Sequence, residues 1–143
     1  MIATLLILSG LAHAHEPTEA KPVEPTANQE ALYAALKPRD GAPDCESLRV
    51  HSDDLATDLL WLVDNATQPP WVGVRAAQCV IKHHHTAQAE RIKSWMTSPD
   101  KRGLAILAMG LLDELPKELR VELSAAALAG PLAEDAKKYI AVP

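Results

Sequence analysis

The chain has 143 residues, 48% of them hydrophobic, and carries a formal net charge of −5. That length holds one domain with a packed core. The acidic balance excludes general nucleic-acid binding, which needs a net basic face to release phosphate counterions.

Residues 2–11 are mostly apolar, and Ala12-His13-Ala14 follows the small-x-small cleavage pattern, so residues 1–14 read as an export signal cut after Ala14. The run is too short for a bilayer anchor, which takes roughly 20 apolar residues. No basic residue precedes it, a departure from the usual layout, and no cysteine follows closely enough to be lipidated. The expected product is a soluble periplasmic or secreted protein without a stable membrane anchor. Residues 15–26, "HEPTEAKPVEPT", have Val23 as their only large apolar side chain, which reads as a disordered tether. Cleavage after Ala14 would make His15 the N-terminus, where an α-amine and an imidazole can chelate copper together. Cleavage after Ala12 would leave His15 third from the amine, also a copper-binding arrangement.

Apolar spacing is helical throughout the rest, without long Val and Ile runs, so the fold class is all-α. Thr26 and Gln29 have capping-box spacing and open a helix that runs to Lys37, before Pro38. The turn-rich "KPRDGAP" and a short turn around Cys45 complete an N-terminal segment, residues 27–51. Cys45 and Cys79 are the two thiols, and an even count in an exported chain points to one disulfide, with two separately buried thiols as the other reading. They are not spaced for redox catalysis.

From residue 52 to 143 the pattern recurs. "SDDLATDLLWLVDNA" has Ser52 or Asp53 as cap and Leu55, Leu59, Leu62 and Val63 on one face, and Pro69-Pro70 stops it. A helix from about Trp71 to Lys82 shows Val74, Ala77 and Ile81; the next places Ala89, Ile92 and Met96 together; Pro99 breaks the chain again. "GLAILAMGLL" has no polar side chain, which predicts a central helix covered on all sides. Pro116 opens a helix striped by Leu119, Leu123, Ala126 and Ala127, and after Gly130-Pro131 a last helix carries Leu132, Ala136, Tyr139 and Ile140. Prolines at 70, 99 and 131 recur at periods of roughly 30 residues, so a helical hairpin is used about three times.

"PPWVGVRAAQCV" resembles the second helix of a HEAT-like repeat, in which a proline and a Val-Arg pair precede small residues. Val74-Arg75-Ala76-Ala77 fits that pattern, whereas the matching stretch from Arg102 to Ala105 has Gly and Leu where Val-Arg belongs. The resemblance covers about Ser52 to Ile140. It implies a short right-handed stack of about three hairpins, a HEAT-like α-solenoid behind an extra N-terminal helix, serving as a binding scaffold for a protein or peptide with neither catalytic residues nor a cofactor.

Charge along the chain is segregated. Asp40, Asp44, Glu46, Asp53, Asp54, Asp58 and Asp64 are set against Arg49, whereas Arg75, Lys82, Arg91, Lys93, Lys101 and Arg102 outnumber Glu90 and Asp100. The two stretches read as solvated faces that attract each other in the fold. Arg75, Lys82, Arg91 and Lys93, with Trp95 as an aromatic anchor, are the candidates for a partner-binding surface; packing between hairpins is the other reading of Trp95, as of Trp61 and Trp71. His83, His84 and His85 end a helix, where cations favour the dipole. Consecutive helical side chains diverge by about 100°, so three neighbours do not converge on one ion. An exposed, solvated loop is expected, with metal handling by His15 and His83 to His85, or a pH-responsive contact, as the alternatives. The sequence contains none of the phosphate-loop, nucleophile-elbow or zinc-protease motifs that would mark an enzyme.

Overall fold

The computed structural model describes residues 23–140, and every regular element among them is a helix. The expected signal, His15, most of the tether and residues 141–143 lie outside the described residues.

The first helix, α1 (Ala27–Leu36), starts where its capping box requires: Gln29 N donates to Thr26 Oγ1 at 3.3 Å, and Thr26 N donates to Gln29 Oε1 at 3.0 Å. Leu32 and Leu36 are buried against the following helices. Gln29 is buried as well, and its Nε2 donates to Asp58 Oδ1 at 2.9 Å on α2 (Leu55–Asn65). Ser52 Oγ donates to the other oxygen of Asp58 at 2.6 Å, so the buried carboxylate is satisfied on both sides. This use of Ser52 moves the cap of α2. The N-cap is Asp54, whose Oδ1 accepts from Thr57 N, rather than the expected Ser52 or Asp53.

On α3 (Trp71–His83) the buried set is Val72, Ala76, Ala77, Val80 and Ile81, with Cys79 beside them. Val74, expected in the core, is 46% exposed. The expected stripe picked out the margin of a face that widens because α3 packs against α2, α5 and α1 together. Gly73 lets α2 come close, since a Cβ there would stand 3.3 Å from the Ala66 carbonyl oxygen.

Then α4 (Ala89–Met96) buries Ile92, Trp95 and Met96, and α5 (Arg102–Gly110) runs between 3₁₀ turns at Pro99–Lys101 and Leu112–Glu114. The expectation that α5 is covered on all sides is not met. Ala105, Ala108 and Met109 are buried, but Gly103 and Gly110 are exposed and Leu104, Ile106 and Leu107 half-buried. An apolar sequence hid the difference because glycines, not polar residues, occupy the open side. The last two helices are α6 (Lys117–Ala129) and α7 (Ala133–Tyr139). Leu123 and Ala127 are buried as expected; Tyr139, placed in the core stripe by its spacing, is 49% exposed.

Successive helices pair: α2 with α3, α4 with α5, α6 with α7. Across the pairs, α3 meets α5, α5 meets α7 and α4 meets α6, while α1 lies against α2 and α3. One contiguous core runs from Leu32 to Ala136.

Candidate functional site

Cys45 and Cys79 form a disulfide with their Cα atoms 5.5 Å apart, joining the segment after α1 to α3. One residue past Cys45, Glu46 Oε1 lies 3.3 Å from His83 Nδ1 at the end of α3, a surface contact beside the bridge. The neighbouring histidines go elsewhere. His85 Nδ1 lies 3.1 Å from the Ile81 carbonyl, and His84 is half-buried, with burial and then the nearby Arg49 holding its pKa below the usual 6.5. The expected solvated loop therefore describes His83 alone. Among the described residues no three His, Cys, Asp or Glu side chains gather into a group that could hold a metal ion.

The candidate partner-binding cations are engaged within the molecule. Arg75 donates to the carbonyls of Leu36, Pro38 and Arg39, past the end of α1. Arg91 on α4 pairs with Asp64 on α2, and Lys82 on α3 with Glu114 at 3.3 Å. Lys93 on α4 reaches Glu122 on α6 at 2.7 Å and Glu90 at 3.0 Å; these hydrogen bonds, to Glu122 first, raise its pKa. Trp95, the proposed anchor, is 1% exposed and belongs to the core, where its indole N–H has no partner. These residues join one helix to the next, and the attraction between the acidic and basic stretches is realised in Asp64 and Arg91.

One joint escaped the sequence reading. Arg102 at the start of α5 grips both oxygens of Asp135 on α7, Nε at 2.7 Å and Nη2 at 2.9 Å. The guanidinium holds the Asp135 carboxyl below its ordinary pKa of 3.8. A separation of 33 residues gives no local signal for this pair.

Two grooves remain. A smaller one of about 400 Å³ lies between α1 and α2, with Tyr33 and Trp61 in its walls. Tyr33 OH donates to the Gln68 carbonyl at 2.6 Å, which ties the ring to the loop before α3.

The larger groove, about 730 Å³, lies where the C-terminal part of α5, the side of α6 and the end of α7 meet. Met109 and Leu112 form its floor, and Val121, Ala125 and Leu128 of α6 and Tyr139 of α7 its walls. α7 covers only part of α6. α6 has 13 residues and α7 has 7, so at about 1.5 Å per residue α6 outruns its antiparallel neighbour by roughly 9 Å. Val121, 60% exposed, stands on that uncovered stretch. Arg120 and Lys138 line the rim; Arg120 Nη1 is 3.3 Å from Asp113, and Lys138 Nζ is 3.5 Å from Asp135, whose carboxylate already serves Arg102. The stripe Val121, Ala125, Leu128 is legible in the sequence, on the side of α6 away from Leu123 and Ala127, as a second apolar face.

No family model, curated protein or solved structure matches this chain. The groove beside α6 offers an apolar floor, a basic rim and no buried polar group to desolvate, an arrangement suited to holding a side-chain row of another chain.

Proposed function

We propose that this chain is an exported, non-enzymatic helical scaffold, a short right-handed HEAT-like stack of hairpins, that binds a protein or peptide partner in the groove beside α6. The observation that carries the reading is the exposure of Val121 and Tyr139 at 60% and 49% on one concave surface. Monomeric proteins cover contiguous apolar surface unless something else is to cover it. The pairing of α2 with α3, α4 with α5 and α6 with α7 supports the stacked-hairpin reading. The disulfide fits an oxidising compartment, and no helix among the described residues is long and apolar enough to cross a membrane.

The test is site-specific photo-crosslinking in envelope fractions, with the crosslinker at Val121 or, as control, at Val50. Val50 is more exposed, at 82%, but lines neither groove. A discrete adduct formed from Val121 and absent from Val50 supports the reading. Equal labelling from both positions removes it.

A further inference from the structure

Resting on that reading, we infer that the occupant of the groove is an amphipathic α-helix with acidic flanks, contributed by a partner protein. Peptides are recognised on protein surfaces in a few recurring ways, and the structure discriminates among them. Strand addition needs a sheet edge, and the described residues contain no strand. Polyproline recognition needs a run of aromatic rings, and this groove has one, Tyr139. Helix-in-groove binding needs an apolar trough lined at helical spacing. Val121, Ala125 and Leu128 supply it at i, i+4 and i+7, with Ser124 and Ala125 small enough for a second backbone to come near.

The surroundings also prepare the place for a helix. Inside the molecule every helix from α2 to α5 has helices on more than one side, and α6 is met by α4 and α7. On its remaining side the trough runs along α6 from Val121 to Leu128, and Met109 and Leu112 line it from the end of α5.

Charge selects the flanks. The groove is lined by Arg120 and Lys138 against one acid, Asp113. Asp113 is 97% exposed where it meets Arg120 at 3.3 Å, and Lys138, 67% exposed, has a 3.5 Å contact with the carboxylate that Arg102 already holds. A carboxylate on the incoming helix would meet either cation without breaking a short ion pair, whereas a lysine there would be repelled by both.

The experiment is a selection from a displayed library of random peptides about 16 residues long, roughly the length of α6 plus a turn, against the full chain and against Val121→Asp. Expected is enrichment of apolar residues at i, i+3 or i+4 and i+7 with Asp or Glu beside them, lost on Val121→Asp. ¹⁵N shifts on titrating the best peptide should move Val121, Ala125 and Tyr139, and Arg120→Glu with Lys138→Glu should weaken it at least about tenfold. Enrichment of proline-rich or basic peptides, or of peptides indifferent to Val121→Asp, overturns the inference. So do contacts between Val142 and Val121 in the peptide-free protein, which put the chain's own last residues in the groove, and a concentration-dependent dimer lost on Val121→Asp, which puts a second copy there. If the selection fails while Val121 still crosslinks a discrete partner, the helix is wrong and the binding scaffold stands. If Val121 crosslinks nothing that Val50 does not, the scaffold reading has failed first.

Discussion

Arg75 Nη1 donates to the Leu36 carbonyl at 2.8 Å and also to that of Pro38, while Nη2 donates to Arg39 at 2.7 Å; one turn earlier on α3, Trp71 Nε1 donates to Lys37 at 3.0 Å. Four consecutive carbonyls at the end of α1 thus accept from two side chains of α3. The last carbonyls of a helix have no partner within it, and here Pro38 rules out the usual continuation. The arginine that carries the HEAT-like resemblance is spent on holding α1 to α3.

Arg75→Ala should therefore cost about 2–3 kcal/mol, since three charge-assisted bonds go and carbonyls are left without donors. Arg75→Lys should recover less than half, because an ammonium cannot span three carbonyls as a fork does. Hydrogen exchange checks the location: amides of α1 should lose protection before those of α5.

The disulfide makes a separate expectation. Bridging residues 34 apart removes roughly 3.5–4 kcal/mol of chain entropy from the unfolded state. Reduction, or Cys45→Ser with Cys79→Ser, should lower the melting temperature by well over 10 °C at about 4–8 °C per kcal/mol. Proteolysis under reducing conditions should cut first between Asp40 and Ser47, the stretch between the carbonyls that Arg75 holds and the buried Leu48. Two alkylated thiols in unreduced protein taken from the envelope would contradict the bridge.

What the sequence made legible were features carried by neighbours in the chain. The capping box at Thr26, the ends of helices near Pro38, Pro70 and Pro99, and the buried leucines of α2 follow from local rules. Cysteine parity pointed to the bridge. Features that depend on which helix lies beside which were not readable: Val74 stands exposed because α3 is gripped from other directions, and α5 has an open side that glycines at 103 and 110 leave apolar in sequence. The internal engagement of the candidate cations was unreadable for the same reason, since Arg75 and Arg91 each meet a group 27 or more residues away and Lys93 reaches Glu122 on another helix. Lys82 looked equally free, yet Glu114 answers it from beyond α5. The groove depends on which sides of α5, α6 and α7 come together, and no pattern local to one helix states that.

Two titrations have opposite causes and the same sign. His84 has its folded pKa below 6.5, so as pH falls below 6.5 the unfolded chain takes up the proton first and stability is lost. His84→Gln should flatten that part of the stability curve relative to wild type. Asp135 has its folded pKa below 3.8, so its pairing with Arg102 contributes fully above that value and is lost as pH falls through the folded value. The gap in stability between wild type and Arg102→Gln should be constant above about pH 5 and narrow toward pH 2, as urea titrations at stepped pH would show.

Glycines with and without neighbours should respond oppositely. At Gly73 a side chain meets the Ala66 and Leu62 carbonyl oxygens at 3.3 and 3.6 Å, so Gly73→Val should push α2 off α3 and cost about 2 kcal/mol or more. At Gly103 nothing lies within 4 Å of a Cβ, and Gly103→Ala should stabilise by up to about 1 kcal/mol through helix propensity. Thermal melts of the two variants decide the matter.

The role proposed for the groove beside α6 is to hold a partner. Its most direct measurement is the binding isotherm of the partner crosslinked from Val121, titrated calorimetrically into wild type, Val121→Asp and Val50→Asp, with melting temperatures recorded for all three. The expected result is at least about a tenfold loss for Val121→Asp, none for Val50→Asp, and melting temperatures within a few degrees of one another. Equal affinity for wild type and a folded Val121→Asp would contradict the claim.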